Sequence, residues 1–435
     1  MAESLVALTP QGLAAVPAPT TQNFAASGGS ALIGFIAAGV GAKPRTVQDK
    51  LRDFISVKDF GAKGDGVTDD TAAINAACSA VASGRIVFPA GKYRYRGGGV
   101  LADGAIVEGA GRNATNVVST LASPTSGFLF NANGYGSGVR GMRFTAEVAQ
   151  TAGCYVQLQG TESFIDDFYM DGDYNGVLMR GSVSRIRHGR FQNGATGAIR
   201  IRAEGGDCSQ VIDDVLMGAQ TPANISVAGI RVRNSSALMI TNTSVIQQGA
   251  GLLIDPYSST SDGADSGSVF SLYVNNCFFD TNTKALNIGP TGTGSVNRCR
   301  FANSWFSSSS SDGITVQGAT SGMHFESCHA VLNAGAGLTT GSALGLSDVR
   351  ISGGLFAQNQ NGLYFNSAFP GLAIIGAVIG LGGGLNGNTS NGIVIADAAF
   401  DNYILALNTL RSNGTNISNA ASSAPGAKIA NNVSI

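Results

Sequence analysis

The sequence predicts an all-β solenoid, a parallel β-helix in which several strands per turn stack into separate sheets. A short unit, glycine or alanine followed by an alternating apolar strand, recurs along most of the chain, and the spacers between units show little helical periodicity. Only 13% of the residues are charged, whereas glycine accounts for 61 of 435. This composition favours frequent tight turns over helices joined by salt bridges.

The repeat unit has a fixed strand and a spacer of variable length. Its first apolar residues are Val177, Ile199, Ile230, Leu252, Leu286, Ile314, Leu338, Leu363 and Ile393. Such a pattern is typical of a coiled solenoid, because each turn returns its strand to the stack while its loops are free to lengthen. Each spacer holds a second apolar run, which indicates several strands per turn. A β-propeller is the alternative, but its longer and more regular period fits less well.

Residues 1–55 are interpreted as an N-terminal arm that ends in a short helix. Apolar residues recur at helical spacing between Thr46 and Ile55. A helix this short is marginal alone, so we expect it to pack against the same helix of neighbouring subunits in a homotrimer. Neither a signal peptide nor an apolar stretch long enough to span a membrane is apparent. We therefore expect no membrane insertion.

Residues 56–100 read as a cap segment at the start of the solenoid. Thr68 or Asp69 is expected to cap a helix that ends near Gly84, and two strands follow at 85–88 and 92–95. The aspartates of this segment are expected to serve turns and the helix N-terminus and not catalysis. Helical patterns then stop, so that residues 101–435 form the β-helix with its C-terminal end cap.

The six cysteines contain no Cys-x-x-Cys pair, which disfavours zinc and a dense disulfide framework. Synthesis in a reducing cytoplasm is the simplest interpretation. Cys277, Cys299 and Cys328 occupy similar places in successive turns, and we expect them to form an inward stack of thiols. The formal net charge of −1 gives no general attraction for nucleic acid.

The stretch SVKDFGAKGDGVTDDTAAINAA at 56–77, followed by IVFPAGKY at 86–93, closely resembles the first turns of the pectate-lyase-like superfamily. Together with Gly34-Phe35 and the charged run at 45–53, it is similar to tail spikes and tail fibres of tailed phages. The resemblance implies a right-handed, single-stranded parallel β-helix and a trimer made in the host cytoplasm and carried on the virion. It also implies that the arm attaches to a phage tail or baseplate protein and that the ligand is a bacterial capsular or lipopolysaccharide glycan.

Glycoside hydrolysis usually needs two carboxyl groups on either side of the scissile bond. Asp166-Asp167, then His188-Gly189, then Arg231-Val232-Arg233 follow the order of the catalytic series of polygalacturonases. That resemblance implies catalytic roles for Asp166, Asp167 and His188, and binding of a sugar acid by Arg231 and Arg233. No Asn-x-Asp precedes the aspartates, and Arg233 replaces a lysine. The alternative carboxylates are Asp213, Asp214, Asp255, Asp280 and Glu326.

Asp171–Gly176 fits the opening of a calcium loop, but Ser182 stands where a bidentate glutamate is required, so no metal or cofactor is expected. The pairs Phe278-Phe279, Trp305-Phe306 and Tyr364-Phe365 lie on strand-like runs, where one ring of each should point outward. Trp305 is the candidate for stacking on a sugar.

Whether the protein cleaves its glycan stays open, with hydrolysis favoured over elimination. A non-enzymatic adhesin or structural fibre is the alternative, and a free hydrolase is least expected.

Overall fold

The computed structural model describes residues 5–9, 12–16, 21–195, 197–205, 209–218, 227–256, 267–289, 294–341, 345–381, 387–421 and 426–434. Cys208 and parts of the predicted arm lie outside the described residues. The described chain is a right-handed parallel β-helix with few helices, so the predicted fold class is confirmed.

The arm forms small elements that pair with one another. They are the antiparallel strands Leu5–Thr9 and Gly12–Val16, the helix Thr21–Ala25, the 3-10 helix Gly29–Leu32, and the antiparallel strands Gly34–Phe35 and Arg45–Thr46. Among the described residues, none of these strands joins the large sheet of the solenoid.

The helix expected between Thr46 and Ile55 is present as the shorter segment Val47–Leu51. Thr46 accepts a hydrogen bond from the backbone of Asp49, whose carboxylate accepts one from the Thr46 N–H in return. This capping box fixes the start of the helix. Leu51 and Phe54 remain 57% and 47% exposed.

The cap segment consists of the strand Ile55–Ser56, the 3-10 helix Val57–Phe60, the strand Asp65–Asp69 and the helix Thr71–Ala80. This last helix buries Ile74, Ala77 and Cys78 over the first turn. The prediction that Thr68 or Asp69 caps it is wrong, since Asp70 occupies the N-cap position. The Asp70 carboxylate instead accepts the N–H groups of Lys63 and Gly64, because the chain loops back over it.

Three ladders of parallel strands form the walls of the solenoid, and we name them sheets A, B and C in chain order within a turn. Sheet A contains Ile55–Ser56, Gly84–Phe88, Ala105–Gly109, Gly138–Ala146, Phe164–Asp171, Arg185–Gln192, Val211–Met217, Met239–Thr241, Tyr273–Asn275, Arg300–Ala302, Thr320–Glu326, Ser347–Ser352, Ala373–Ile375, Ile404–Ala406 and Lys428–Ala430.

The four long strands between residues 138 and 217 run through two sheets: their first halves belong to sheet A and their second halves to sheet B. Its other members are Asp65–Asp69, Gly91–Tyr95, Thr115–Ser119, Ser244–Ile246, Phe278–Asp280, Trp305–Ser307, His329–Val331, Leu355–Ala357, Val378–Ile379, Thr409–Leu410 and Val433–Ser434.

Sheet C has 13 strands in the described part of the chain, and a short extra ladder precedes sheet A. Sheet C contains Gly97–Leu101, Thr125–Ala132, Cys154–Leu158, Asn175–Met179, Ile199–Glu204, Ala228–Ser236, Ala250–Ile254, Lys284–Ile288, Ile314–Val316, Ala336–Thr340, Asn361–Phe365, Asn391–Ile395 and Thr415–Asn419. The extra ladder adds Val269–Phe270 and Val296–Asn297.

The inward positions of the sheets form one continuous core along the axis. Like residues stack on like in successive turns, as the rings of Phe301 and Phe325 do at 4.9 Å and those of Phe279 and Phe306 at 5.4 Å. Because a parallel ladder places neighbours in register, each ring meets the same face of the next.

A buried asparagine ladder at the corner between sheets B and C explains the glycine of the repeat. Each asparagine accepts the backbone N–H of its counterpart one turn earlier, as Asn359 does from Asn333 at 2.9 Å. Its amide lies where the Cβ of the repeat residue would stand, so that residue is glycine. The pairs are Gly251 with Asn282, Gly313 with Asn333, Gly337 with Asn359, Gly362 with Asn388 and Gly392 with Asn413.

The expected stack of three thiols is wrong, although all three cysteines are buried. Cys277 and Cys328 share an inward column but are separated by Ser304, whose hydroxyl accepts the Cys277 N–H. Cys299 directly precedes a strand of sheet A and stacks in a column with Met323. Burial raises the pKa of Cys299 to about 12, which leaves it an inert thiol.

Candidate functional site

The corner between sheets A and B is turned by residues in the left-handed backbone region. Asp167, His188, Asp214 and Asn242 occupy it in successive turns, with φ between 47° and 52°. Asn, Asp and His tolerate this conformation better than most residues. The outward corner is therefore lined with polar side chains, and the sequence candidates Asp167 and His188 belong to it.

Asp166 and His188 meet at this corner. The Nδ1 atom of His188 lies 2.6 Å from Oδ1 of Asp166, and the two side chains are 55% and 39% exposed. The hydrogen bond that His188 makes to the Asp166 carboxylate raises the pKa of His188, and the charges of Asp214 and Asp213 add to this. Since Asp166 engages Nδ1, the second ring nitrogen is left for a ligand. The arrangement can therefore hold or deliver a proton near neutral pH.

Asp167 has a different partner although it is adjacent in sequence. Its Oδ1 lies 3.4 Å from Nε of Arg112 in an ion pair, and Nη1 of the same arginine donates to the backbone oxygen of His188 at 3.4 Å. Because residue 167 is in the left-handed conformation, its side chain leaves the strand in another direction from that of Asp166. The two carboxylates therefore have different partners, and Asp166 is the one that is hydrogen-bonded to His188.

A column of alternating charge runs along the outer face of sheet A. Glu108, Arg140, Asp166, Arg187 and Asp213 are in register on five successive strands. Asp166 and Asp213 are two strands apart, about 9.6 Å between their Cα atoms, on either side of Arg187.

Asp213 is held as an ionised carboxylate. Partial burial raises its pKa, but hydrogen bonds from Thr241 at 2.6 Å and Asn242 at 2.8 Å outweigh this effect and lower the pKa overall. Sequence spacing could not identify this relation, because loops of different length separate Asp166, Arg187 and Asp213. The alternation appears only once the register of the strands is known.

Arg231 and Arg233 lie on sheet C, and the structure does not bring them to the Asp166–His188 corner. Arg231 is 7% exposed and donates to Glu204 at 2.5 Å. Arg233 lies 3.9 Å from the carboxylate of Asp255. Both guanidinium groups therefore belong to a separate charged network on another wall of the solenoid.

Trp305 belongs to an outward ladder of rings on sheet B. Phe278, Trp305 and His329 are in register on three successive strands. The ring centroids of Phe278 and Trp305 are 6.1 Å apart, and those of Trp305 and His329 are 4.9 Å apart. The neighbouring Phe279 and Phe306 are fully buried, which confirms that one ring of each pair points outward. We call Phe278, Trp305 and His329 the ring ladder.

A pocket of about 350 Å³ opens beside the ring ladder. It is lined by Asn303, Ser304, Trp305, Ser327 and His329. The Nδ1 atom of His329 is buried and has no hydrogen-bond partner among the described residues. Burial lowers the pKa of His329, so its ring is neutral at pH 7. Sequence reasoning missed His329, which is recognisable only from its register with Trp305.

The calcium-loop pattern at Asp171–Gly176 is used for ion pairs. Asp171 accepts from Arg143 at 3.1 Å, and Asp173 forms a fully buried ion pair with Arg200. Within the ranges that the structure describes, no group of three His, Cys, Asp or Glu side chains is arranged to hold a metal ion. None of the described helices is long and apolar enough to cross a bilayer.

Two sequence relatives match parts of the chain. Alginate lyase 7 of Azotobacter vinelandii is 31% identical over 156 residues, which is 31% of this chain and 17% of that protein. A tail spike protein of an Escherichia phage is 49% identical over 63 residues, which is 14% of this chain and 7% of the phage protein. The chain therefore spans less than a fifth of the length of these relatives.

The solenoid is also similar to a solved tailspike structure. A tailspike protein mutant of E. coli bacteriophage HK620 in complex with a pentasaccharide superposes with a TM-score of 0.62 at 13% identity. The match covers 94% of this chain and 84% of that one. The model of the family described as Rhamnogalacturonase A/epimerase, pectate lyase-like, matches residues 54–339. This is about two thirds of the sequence, and the chain belongs to this pectate-lyase-like family.

Proposed function

We propose that the protein is a tail spike of a tailed phage that binds a polysaccharide of the bacterial surface. The ring ladder with its adjacent pocket carries this proposal. Aromatic rings offer flat apolar faces with polar edges, which suit the C–H faces and hydroxyls of a sugar. The tail spike relative and the tailspike with a bound pentasaccharide support the same class of ligand.

The sole tryptophan of the chain makes the proposal directly testable, because intrinsic indole fluorescence reports on Trp305 alone. Polysaccharide from the host should change this fluorescence saturably. Phe278→Ala and His329→Ala should weaken the response at least tenfold. Tyr364→Ala is the matched control, since it removes a partly exposed ring from sheet C. Host polysaccharide that binds the wild-type protein and all three variants with equal affinity would refute the ring ladder as the binding site.

Cleavage of the glycan is a second candidate activity, favoured by the Asp166–His188 hydrogen bond and by Asp213 two strands away on the same sheet. In this scheme Asp213 accepts a proton from the attacking water, and the Asp166–His188 pair delivers one to the glycosidic oxygen. Asp167 stays a candidate for positioning this pair through Arg112. New reducing ends would indicate hydrolysis, whereas unsaturated uronates would indicate a lyase. If the protein binds the glycan and neither product forms, the protein is a non-enzymatic adhesin.

The assembly follows from the same proposal. Residues 1–55 would attach the spike to a phage tail or baseplate protein, residues 56–100 would cap the solenoid, and residues 101–435 would carry the glycan sites. The exposed Leu51 and Phe54 favour a homotrimer in which they are buried, because exposed apolar patches commonly mark interfaces. The protein would then act as part of the virion, outside any membrane.

A further inference from the structure

A second pocket lies at the corner where the extra ladder leads into sheet A. Its volume is about 240 Å³, and it is lined by Gly322, Met323, His324, Asp348, Arg350 and Gly371. Asp348 is in register between the two glycines, and a Cβ at Gly371 would lie 2.4 Å from its Oδ1 atom. Glycine on both sides therefore opens a recess over the Asp348 carboxylate.

The charges of this pocket are incompletely matched within the protein. Arg300, His324 and Arg350 are in register on three successive strands. Arg300 is paired with Glu326. The guanidinium group of Arg350 is exposed and, in the part of the chain that the structure describes, forms neither an ion pair nor a hydrogen bond. It is thus a cation available to a ligand.

The pKa of His324 depends on the charges of the neighbouring side chains. The Nε2 atom of His324 lies 2.9 Å from the Ser352 hydroxyl. Burial lowers the pKa of His324, the charges of Arg300 and Arg350 lower it further, and Glu326 opposes them. A negative group placed on Arg350 would cancel one of the repulsive charges and raise this pKa.

We propose that this pocket binds a carboxylate-bearing sugar residue, with Arg350 on the carboxylate and Asp348 on the hydroxyls. The planar guanidinium forms paired hydrogen bonds to a carboxylate. An ionised aspartate accepts hydrogen bonds from hydroxyl groups that a simple anion lacks. This inference rests on the proposed glycan-binding function and adds that the bound polysaccharide is acidic.

The three histidines of the chain permit a direct measurement. In protein labelled with ¹⁵N at histidine, the resonances are assigned with His→Gln variants and followed through pH titrations. Sodium glucuronate should shift the His324 resonance saturably and raise its pKa. Glucose should leave the pKa unchanged, and acetate should require at least tenfold higher concentration. Arg350→Gln should abolish the glucuronate response. Arg190→Gln, which removes an exposed arginine from an earlier turn, should retain it.

Two results would overturn the proposal. The first is a His324 resonance that does not respond to glucuronate, and the second is an equal response to acetate and glucuronate, which would indicate a simple ionic effect. Fluorescence of Trp305 with host polysaccharide separates this failure from failure of the proposed function. If the His324 resonance does not respond to glucuronate but the Trp305 fluorescence responds to host polysaccharide, only the proposal of an acidic-sugar pocket is refuted. If the Trp305 fluorescence does not respond to host polysaccharide, the proposed glycan-binding site at the ring ladder is refuted.

Discussion

The side-chain amide nitrogen of Asn333 lies 2.6 Å from the position that a Cβ on Gly313 would occupy. The same relation recurs at the other glycines of the asparagine ladder. One position departs from this pattern: Ala285 stands in place of the glycine, and Ser309, one turn later, stands in place of the asparagine that would face it. The Ser309 hydroxyl is buried and has no hydrogen-bond partner among the described residues.

This exception predicts a coupled pair of substitutions. Ser309→Asn alone should destabilise the protein by about 1–3 kcal/mol, because the amide meets the Ala285 methyl group. Adding Ala285→Gly should make room and allow the new amide to join the ladder, a gain of about 1 kcal/mol per hydrogen bond. Urea unfolding of the wild type, both single variants and the double variant measures the coupling. Strictly additive effects would contradict the prediction.

The buried Asp173–Arg200 ion pair predicts a large loss of stability on removal of one charge. Asp173→Asn leaves the Arg200 guanidinium buried without its counter-ion, which should cost about 3–5 kcal/mol. Asp171→Asn is the matched control two residues away, where the partly exposed pair with Arg143 should contribute less than about 1 kcal/mol. Equal shifts of the unfolding midpoint in the two variants would argue against this account.

If cleavage of the host glycan is detected, Asp166→Asn should reduce its rate at least a hundredfold while the melting temperature holds. Asp167→Asn, whose carboxylate contacts Arg112, should have a smaller effect. Asp401→Asn serves as the control, since it changes a carboxylate many turns away. A cleavage rate that is unchanged in Asp166→Asn would exclude Asp166 as the catalytic carboxylate and make Asp213 and Asp214 the next candidates.

The pH dependence of cleavage should follow His188. Asp166 raises the pKa of His188, so the proton is retained to higher pH and activity that needs it falls on the alkaline side. His188 in Asp166→Asn should lose its proton at lower pH, and the alkaline limb of the residual activity should shift the same way. An alkaline limb that does not move would show that His188 is not the proton donor.

Removal of residues 1–45 should leave the circular-dichroism spectrum and melting of the solenoid nearly unchanged, because the described strands between residues 5 and 46 pair only with one another. Leu51→Ser with Phe54→Ser should instead weaken the trimer. Light scattering should give three times 44.1 kDa for the wild type and a smaller mass for the double variant. A wild-type monomer at micromolar concentration would refute the trimer.

Sequence reasoning identified the solenoid because glycine and the strand that follows it are local features. It also predicted correctly that the Trp305 ring points outward, since adjacent aromatic residues on a strand face opposite ways. It could not join Asp166 to Arg187 and Asp213, or Trp305 to His329, because register across loops of unequal length is a tertiary property. Arg231 and Arg233 matched a series by order alone, and order along a solenoid does not fix which wall a residue occupies.

The fixed register of the strands sets the distance along the solenoid axis between any two residues on its sheets. Asp166 and Phe278 lie on strands four steps apart, so about 19 Å separates them along the axis whatever the loops between them contain. Loops can lengthen or be exchanged without altering this distance. An oligosaccharide shorter than this span could therefore contact the ring ladder or Asp166, but not both at once.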